Sequence, residues 1–387
     1  MSYLALARKY RPQTFADVAG QEAVARTLAN AIRKDRVHHA YLFTGPRGVG
    51  KTSMARILAK SLCCEEGPTS TPCGSCTHCR MIADSGHPDV AEIDAATHNG
   101  VDAVRELNDS AAFAPTLARN KIYILDEVHM LSTSAWNALL KTLEEPPPHV
   151  RFIFATTEVD KVIPTVLSRC QRFDFRTIDT DDIVKRLAEV CVGEGVQVEE
   201  AIRYRIARAA DGGMRDAQTL LDQLLAICDE QITEADLDLL LAAARGEDVE
   251  QLAALLSAGD SAAALTRIDA LLGSGVSADS LLQQLLDHYR QLMLISTCGR
   301  DSKAAARLGI VRDASVEQAK AIPIEKLLRI CQILIGAQQA IRHHVDPQLQ
   351  LELCCIRIAR LDQVLDVENV IRHLQRLEAQ AGTTSPP

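Results

Sequence analysis

Gly45-Pro46-Arg47-Gly48-Val49-Gly50-Lys51-Thr52 is a complete G-x-x-x-x-G-K-T motif, the loop that wraps nucleotide phosphates. An apolar run, Ala40-Tyr41-Leu42-Phe43, precedes the motif, and a helical pattern from Met54 to Leu62 follows it. Glycines let backbone N–H groups converge on phosphates, and the next helix directs the positive end of its dipole at them. The motif therefore predicts a nucleotide site in which Lys51 contacts the β- and γ-phosphates and the Thr52 hydroxyl binds Mg²⁺.

Apolar runs recur after this loop and alternate with helical patterns over residues 38–178. Continuous apolar runs are typical of a parallel sheet covered by helices on both faces. The predicted strands are Tyr41–Thr44, Val90–Ile93, Ile122–Leu125, Phe152–Thr156 and Arg172–Phe175. From Asp179 onward the strand signals fade and apolar residues recur at helical spacing. We predict an α/β domain over residues 1–178, a small helical domain over 179–243, an all-helical domain over 244–370 and a tail or linker over 371–387.

The composition favours helix-rich cores and excludes a membrane span. Of the 387 residues, 47% are hydrophobic and only 4% are aromatic. The sequence contains no window of about 18 uncharged apolar residues, and Met1 to Arg11 lacks the apolar core of a signal peptide. We therefore expect a cytoplasmic protein whose 12 cysteines are reduced thiols or metal ligands and not disulfides.

The net charge of −9 is unevenly distributed along the chain. Residues 1–60 carry 11 Lys and Arg against 3 Asp and Glu, so basic side chains gather around the phosphate loop. A polyphosphate ligand or a DNA backbone would match this segment. An ordinary solvated helix face is the alternative, and charge alone does not exclude it.

A second apolar run ends in two acids, Asp126-Glu127, about 75 residues after the phosphate loop. In nucleotide hydrolases a strand of this kind delivers one carboxylate to Mg²⁺ and another to the attacking water. A strand-end Asp-Glu is by itself often only a turn, so the prediction depends on the phosphate loop. Thr156-Thr157 closes the next strand, where a hydroxyl could orient the water or simply pack.

Two arginines are candidates for contact with a γ-phosphate. Arg169, in Ser168-Arg169-Cys170, precedes the last predicted strand and could be an arginine finger directed at a neighbouring subunit. Arg215 lies in the first turn of a predicted helix, where the dipole does not favour a cation. For both residues the alternative is a solvated arginine.

Cysteines cluster directly after the phosphate-loop helix. Cys73, Cys76 and Cys79 are spaced C-x2-C-x2-C in a loop rich in Gly, Ser, Thr and Pro, within the insertion at residues 63–80. Cys64 supplies a fourth thiolate, although Cys63 or His78 could replace a ligand on spacing alone. The set predicts a closed, structural four-thiolate Zn²⁺ site, with an iron–sulfur cluster as the alternative.

Together these residues resemble the gamma/tau subunits of bacterial DNA polymerase III, the AAA+ ATPases of the sliding-clamp loader. The resemblance runs to about residue 225 and rests on the motifs Lys9-Tyr10-Arg11-Pro12, the phosphate loop, the cysteine insertion, Asp126-Glu127-Val128-His129-Met130, Leu139-Leu140-Lys141-Thr142-Leu143-Glu144-Glu145-Pro146, Ala155-Thr156-Thr157, Ser168-Arg169-Cys170 and Arg215-Asp216-Ala217. It implies an AAA+ P-loop domain, a helical lid domain and an all-α collar domain that holds subunits in a ring.

The resemblance also implies a role for each site residue. Asp126 and Thr52 would hold Mg²⁺, Glu127 would be the catalytic base, Thr157 and Arg215 the two sensors, and Arg169 a finger acting in trans. Cys64 would be the first zinc ligand, because the family places eight residues between its first two ligands. ATP would be held by Arg8, Tyr10, Arg11 and Val18 near the adenine, and by Gly45, Pro46, Gly48, Val49, Gly50, Lys51, Thr52, Ser53 and Arg215 near the phosphates.

The implied partners are the delta and delta-prime subunits and further copies of this chain in a five-subunit ring, the sliding clamp and primer–template DNA. The protein would act in the cytoplasm at nucleoid-associated replication forks, and polymerase and helicase would bind only a longer, tau-like form. Candidate contacts to DNA phosphates are Thr97, Asn99, Arg105 and Ser132 or Thr133. A non-hydrolysing, delta-prime-like scaffold and another AAA+ DNA motor are the alternatives; the intact phosphate loop disfavours the first and the cysteine insertion the second.

Overall fold

The structure is a computed structural model that describes residues 4–361 except 228–231, 242, 301–302, 307, 309–310 and 343–344. The predicted tail at 371–387 and the pair His343-His344, predicted to be a surface feature, lie outside the described residues. The chain divides into two compact units, Met1–Val198 with Ile206–Gln223, and Glu199–Arg205 with Leu224–Pro387. Among the described residues, no helix combines the length and the apolar character needed to cross a bilayer.

A five-stranded sheet forms the centre of the first unit, and every strand pairing in it is parallel. Its order is β2-β3-β4-β1-β5. The strands are β1 Ala40–Thr44, β2 Val90–Asp94, β3 Lys121–Asp126, β4 Val150–Thr156 and β5 Gln171–Asp174. This confirms the predicted parallel sheet, with the edge strand β5 one residue earlier than expected.

Helices cover both faces of this sheet. Tyr41 and Phe43 of β1 pack in one apolar cluster with α2 and α3, whereas Leu42 packs in another with α5 and α6. Successive residues of a strand face opposite sides, so a strand covered on both sides must be apolar at every position. The helices are α1 Leu6–Lys9, α2 Glu22–Arg33, α3 Lys51–Cys63, α4 Thr77–Ala83, α5 Val101–Ala112, α6 Thr133–Glu144, α7 Pro164–Leu167 and α8 Thr180–Glu194, with 3₁₀ turns at Phe15–Asp17, Val128–Met130 and Val159–Lys161.

The rest of the described chain is helical, as predicted. Its helices are α9 Glu200–Ala209, α10 Met214–Ile227, α11 Glu234–Leu240, α12 Gly246–Ser257, α13 Ser261–Gly273, α14 Ala278–Cys298, α15 Lys303–Ala306, α16 Asp313–Ala321, α17 Ile324–Arg342 and α18 Pro347–Ala359. The second unit encloses an apolar core in which Leu285, Leu292 and Leu334 are fully buried. Cys354 and Cys355 belong to this core, where they pack as small apolar side chains. The domain boundaries at 178, 243 and 370 stay predictions.

Candidate functional site

The candidate site lies at the carboxyl edge of the sheet. Gly45 follows β1, Asp126 ends β3 and Thr156 ends β4, and β4 lies between the other two strands. The register pairs Thr44 with Thr156 and Leu125 with Phe154, and the Gly45 N–H donates to the Thr156 carbonyl at 3.2 Å. Because parallel strands end at the same edge, segments far apart in sequence supply one site.

The phosphate loop requires glycine at its two ends. Gly45 has φ 144°, and a Cβ there would lie 2.3 Å from the Phe175 carbonyl oxygen. Gly50 has φ 101° and is the N-cap of α3, so the loop enters the helix through a left-handed residue. The loop thus presents the N-terminus of α3, whose free N–H groups are suited to bind phosphate oxygens.

Lys51 is the first residue of α3 and is only 6% exposed. Its ammonium donates to the carbonyl oxygens of Gly45 and Pro46, both at 2.7 Å. An ammonium has three N–H donors, so two such bonds leave one for a phosphate oxygen. Burial lowers the pKa of Lys51, while the carboxylates of Glu127 and Asp126 oppose this shift. A bound polyphosphate would further favour the charged form.

The predicted magnesium ligands meet beside the loop. The Thr52 hydroxyl donates to Asp126 Oδ2 at 2.7 Å, although the two residues are 74 positions apart. The other carboxylate oxygen of Asp126 accepts the Glu127 N–H at 3.0 Å. Hydroxyl and carboxylate oxygens are the donors that Mg²⁺ prefers, and it commonly takes only one or two from the protein. The pair therefore fits a Mg²⁺ ion that is shared with substrate phosphates.

Glu127 lies between this corner and the end of β4. Its backbone is left-handed, with φ 47°, which is uncommon for a residue that carries a side chain. Its Oε2 atom accepts from the Thr157 N–H at 3.3 Å and from the Thr157 hydroxyl at 3.2 Å. His129 Nδ1 approaches the same oxygen at 3.3 Å. The predicted base and first sensor are thus in direct contact, together with a histidine that sequence reasoning had not assigned a role.

The segment Ala5 to Pro12, here called the N-terminal arm, forms the other side of the cleft. The Arg186 guanidinium donates to the Tyr10 carbonyl at 3.1 Å, and Lys9 forms an ion pair with Glu194 at 2.7 Å. The Tyr10 hydroxyl hydrogen-bonds to the Glu194 carboxylate, which raises the pKa of Tyr10 to about 12. Burial, followed by the charge of Arg56, lowers the pKa of Arg11. The arm is therefore held by α8, through residues that no sequence motif marks.

Most of the predicted nucleotide-binding residues line one cleft. Arg215 reaches it from the first turn of α10, and its backbone N–H donates to the Gly48 carbonyl at 3.4 Å. Gly45, Pro46 and Thr157 are not in the lining, although Lys51 and Glu127 contact them directly. The predicted residues that line the cleft are Arg8, Tyr10, Arg11, Val18, Gly48, Val49, Gly50, Lys51, Thr52, Ser53, Asp126, Glu127 and Arg215.

Arg169 lies outside this cleft. Its Nη2 atom pairs with Glu144 at 2.6 Å, and its Nη1 atom donates to the Thr165 carbonyl at 2.6 Å. The guanidinium borders a second, open pocket that His38, His39 and Gln171 also line. Arg169 therefore does not belong to the phosphate site of its own chain, and Glu144 is a partner that the sequence did not indicate.

Four cysteine thiols converge after α3. The Sγ atoms of Cys64, Cys73, Cys76 and Cys79 all lie within 4.8 Å of one another. The 3.7 Å between Cys64 and Cys73 matches the S–S separation of about 3.8 Å for tetrahedral Zn–S bonds of about 2.3 Å. The Cys76 N–H donates to Cys73 Sγ at 3.3 Å and, as the largest cause, lowers the pKa of Cys73 to about 6. The cluster is compatible with zinc.

The two other candidate ligands are engaged elsewhere. The Cys63 thiol donates to the Asn120 carbonyl at 3.8 Å, and burial raises its pKa to about 12. His78 Nδ1 faces His87 Nε2 at 2.8 Å. The fold thus selects Cys64 over Cys63, a choice that spacing had left open.

The candidate DNA contacts gather where α5 and α6 begin. The Ser132 N–H donates to the Asn99 carbonyl at 3.2 Å, so the segments that precede these helices touch. Ser132 caps α6 by accepting from the Ala135 N–H at 3.2 Å. Arg105 pairs with Asp102 at 2.9 Å on an exposed face of α5. DNA binding at these residues stays a prediction.

Three family models match successive parts of the chain. Residues 20–179 match the model described as "DNA polymerase III, delta subunit". Residues 182–230 match "DNA polymerase III clamp loader subunit, ATPase lid domain", and residues 232–374 match "DNA polymerase III subunits gamma and tau domain III". A solved structure of Thermotoga maritima RuvB, titled a Holliday junction branch migration motor, is 17% identical and has a TM-score of 0.46 over 71% of this chain and 91% of that one.

Curated relatives match over nearly the whole chain. DNA polymerase III subunit tau of Bacillus subtilis is 40% identical over 98% of this chain and 68% of its own length. Subunit gamma/tau of Mycobacterium tuberculosis is 39% identical over 99% of this chain and 67% of its own. Subunit tau of Escherichia coli is 38% identical over 92% of this chain and 55% of its own. The chain therefore belongs to the gamma/tau subunit family of DNA polymerase III.

Proposed function

We propose that this chain is the ATP-hydrolysing subunit of a bacterial clamp loader, which opens the sliding clamp and loads it on primer–template DNA. The observation that supports this function best is the convergence of Lys51, Thr52, Asp126, Glu127 and Thr157 at one sheet edge, beside the cleft that the N-terminal arm borders. Those are the groups that phosphoryl transfer to water requires.

ATP binding follows from the geometry of the cleft. The loop amides and Lys51 would hold the β- and γ-phosphates, while Tyr10, Arg11 and Val18 would border the base. Arg215 would contact the γ-phosphate from α10. Since Arg215 and the loop belong to different segments of the cleft, one nucleotide would link α10 to the sheet.

Hydrolysis needs a polarised water and neutralised phosphate charge. Mg²⁺, held by Thr52 and Asp126, would supply positive charge at the β- and γ-phosphate oxygens. Glu127 would accept the proton of the attacking water, and Thr157 would orient that water. Glu127 Oε2 accepts from both the N–H and the hydroxyl of Thr157, and this contact supports these two roles.

Arg169 would complete the site of a neighbouring subunit. Its position outside the cleft that Lys51 lines supports action in trans. A ring of copies of this chain with delta and delta-prime subunits would place one such finger at an interface between subunits. ATP hydrolysis would then depend on assembly, which suits a motor that must hydrolyse ATP only within the complete clamp loader.

The cysteine cluster would hold Zn²⁺ as a structural ion through Cys64, Cys73, Cys76 and Cys79. Four protein ligands leave no open coordination position for a substrate. Cys64 directly follows α3, the helix that begins at the phosphate loop, so the ion would anchor the far end of that helix.

DNA would be bound through its backbone, near Thr97, Asn99, Arg105, Ser132 and Thr133. Binding of this kind is independent of sequence and weakens with salt. It would take place in the bacterial cytoplasm, at replication forks. Polymerase and helicase would be further partners of a longer, tau-like form.

The test is ATP turnover by this chain alone, and then with delta, delta-prime, the sliding clamp and primed DNA. We expect weak turnover alone and strong stimulation by clamp and primed DNA together, with Glu127→Gln as the inactive control. Bound ATP without turnover under every condition would indicate the scaffold alternative. Turnover that responds to DNA but not to the clamp would indicate another DNA motor.

A further inference from the structure

We propose that His129 is a positioning residue that orients the Glu127 carboxylate for proton abstraction. The inference rests on the proposed role of Glu127 as the catalytic base. His129 belongs to the 3₁₀ turn Val128–Met130 that follows Glu127, and its side chain is only 9% exposed. Within the described part of the chain its polar contacts are to Glu127, Thr156 and Glu158, and not to the phosphate loop or the Thr52–Asp126 pair, so its effect would pass through Glu127.

The imidazole ring bridges two carboxylates. Nδ1 lies 3.3 Å from Glu127 Oε2 and 3.0 Å from the Thr156 hydroxyl, while Nε2 lies 3.4 Å from Glu158 Oε1. The outer carboxylate is itself anchored, because Glu158 pairs with Lys161 at 2.9 Å and its N–H donates to the Thr156 hydroxyl at 3.0 Å. The ring is thus held from β4 and from the segment after it.

Glu127 needs such support for two reasons. Its side chain is 33% exposed, and its contacts with Thr157, at 3.2 and 3.3 Å, are long for hydrogen bonds, as is the 3.3 Å contact with His129, so the carboxylate depends on several such contacts together. Its backbone is left-handed, with φ 47°, so the direction in which its side chain leaves the chain is unusual. Without the ring, the Glu127 carboxylate could rotate towards solvent. A catalytic group that is displaced by about 1 Å can lower the reaction rate about a hundredfold.

The side-chain atom that matters is Nδ1, which faces Glu127 Oε2 and donates to it in the tautomer that carries the proton on Nδ1. Asparagine places an amide nitrogen near the position of Nδ1, whereas glutamine places its amide one bond further, near Nε2. Asn should therefore restore the contact with Glu127, while Gln should restore only the contact with Glu158. A merely structural role of the ring would not predict this order.

The experiment compares His129→Ala, His129→Asn and His129→Gln in the complex with clamp and primed DNA. His149→Ala is the matched control, because His149 is also partly buried and contacts backbone carbonyls of Ala111 and Phe113 at the opposite edge of the sheet. We expect His129→Ala to lower kcat about ten- to a hundredfold, as for other groups that orient a functional side chain. The Kd for a fluorescent ATP analogue should stay within about twofold. The fluorescence of Trp136, the single tryptophan, reports whether each variant is folded.

The outcomes separate this inference from the proposed function. Partial recovery of kcat by His129→Asn but not by His129→Gln, at unchanged ATP affinity, supports positioning. An unchanged kcat in folded His129→Ala overturns it, as does recovery by Gln equal to that by Asn. Full turnover by Glu127→Gln would instead remove the base assignment, and the inference with it.

Discussion

Arg169→Ala should abolish ATP turnover in the assembled complex and leave each chain folded and able to bind ATP. Arg169 pairs with Glu144 at 2.6 Å at a surface where their side chains are 33% and 51% exposed. An exposed ion pair of this kind contributes at most about 1 kcal/mol to folding. Since Arg169 does not line the cleft that holds Lys51, ATP affinity should stay within about twofold of wild type.

The expected effect on turnover is far larger. An arginine finger contributes about 10³- to 10⁵-fold in rate, which corresponds to about 4–7 kcal/mol of transition-state stabilisation. This exceeds any effect of the lost ion pair on folding, so the two causes can be told apart by magnitude alone. Arg172→Ala is the matched control, because Arg172 is a nearby exposed arginine that pairs with Asp174 at 2.7 Å.

A mixing assay tests whether the finger acts in trans. Lys51→Ala chains lack the phosphate site and Arg169→Ala chains lack the finger, so each variant alone should be inactive. In rings formed from an equal mixture, about a quarter of the interfaces between copies should pair an intact phosphate site with an intact finger. Turnover should therefore reappear on mixing. A mixture as inactive as its components would refute action in trans, and wild-type turnover by Arg169→Ala would refute the finger itself.

Two further predictions concern structure. Metal analysis should find one zinc per chain. The Cys64→Ala variant should lose the zinc and the Cys63→Ala variant should keep it, because the Cys63 thiol bonds to the Asn120 carbonyl instead. Iron in the protein, or equal zinc in both variants, would contradict the assignment. Asp89→Asn should destabilise the sheet domain by about 2–3 kcal/mol at pH 7, because Asp89 accepts three backbone N–H bonds at 2.7–2.8 Å. Burial alone would raise the pKa of Asp89, but the three N–H bonds outweigh burial, so the folded pKa lies below the unfolded value of about 3.9. The stabilisation that Asp89 gives the fold is therefore complete above about pH 3.9 and is lost as pH falls through the lower, folded pKa. Urea unfolding followed by Trp136 fluorescence should show the difference at pH 7 and not near pH 2, and an equal difference at both would contradict it.

The central strands could be predicted because burial on both faces leaves a continuous apolar run. The edge strand β5 was predicted one residue late, at Arg172–Phe175 in place of Gln171–Asp174. This edge strand pairs with β1 alone, and its residues are mostly exposed. Its first residue is therefore set by the hydrogen bonds to β1 and not by an apolar run. The short helix Leu6–Lys9 in the N-terminal segment was not predicted. Its bounds depend on local hydrogen bonds to Ala5 that leave no periodic signal.

The candidate site was predictable where it is local in sequence. The phosphate loop depends on glycines at set positions, and the cysteine cluster on ligands a few residues apart. Spacing alone could not choose between Cys63 and Cys64, because both stand at the end of the same helix. Glu144 and His129 lie within motifs of the family resemblance and Glu194 lies in none, but no pattern assigned any of the three a role. Their roles depend on contacts with Arg169, Tyr10 and Thr156, which belong to other segments.

The sequence by itself determined the phosphate loop, the apolar strands and the family, because each depends on residue types at short and regular spacing. Only the tertiary structure decided that Thr52 meets Asp126, that Glu127 meets Thr157 and His129, and that Arg169 points away from its own cleft. The physical reason is the order of the strands. Parallel strands that are distant in sequence end at one edge, and their order follows from how the whole sheet packs, which no local stretch of the chain encodes.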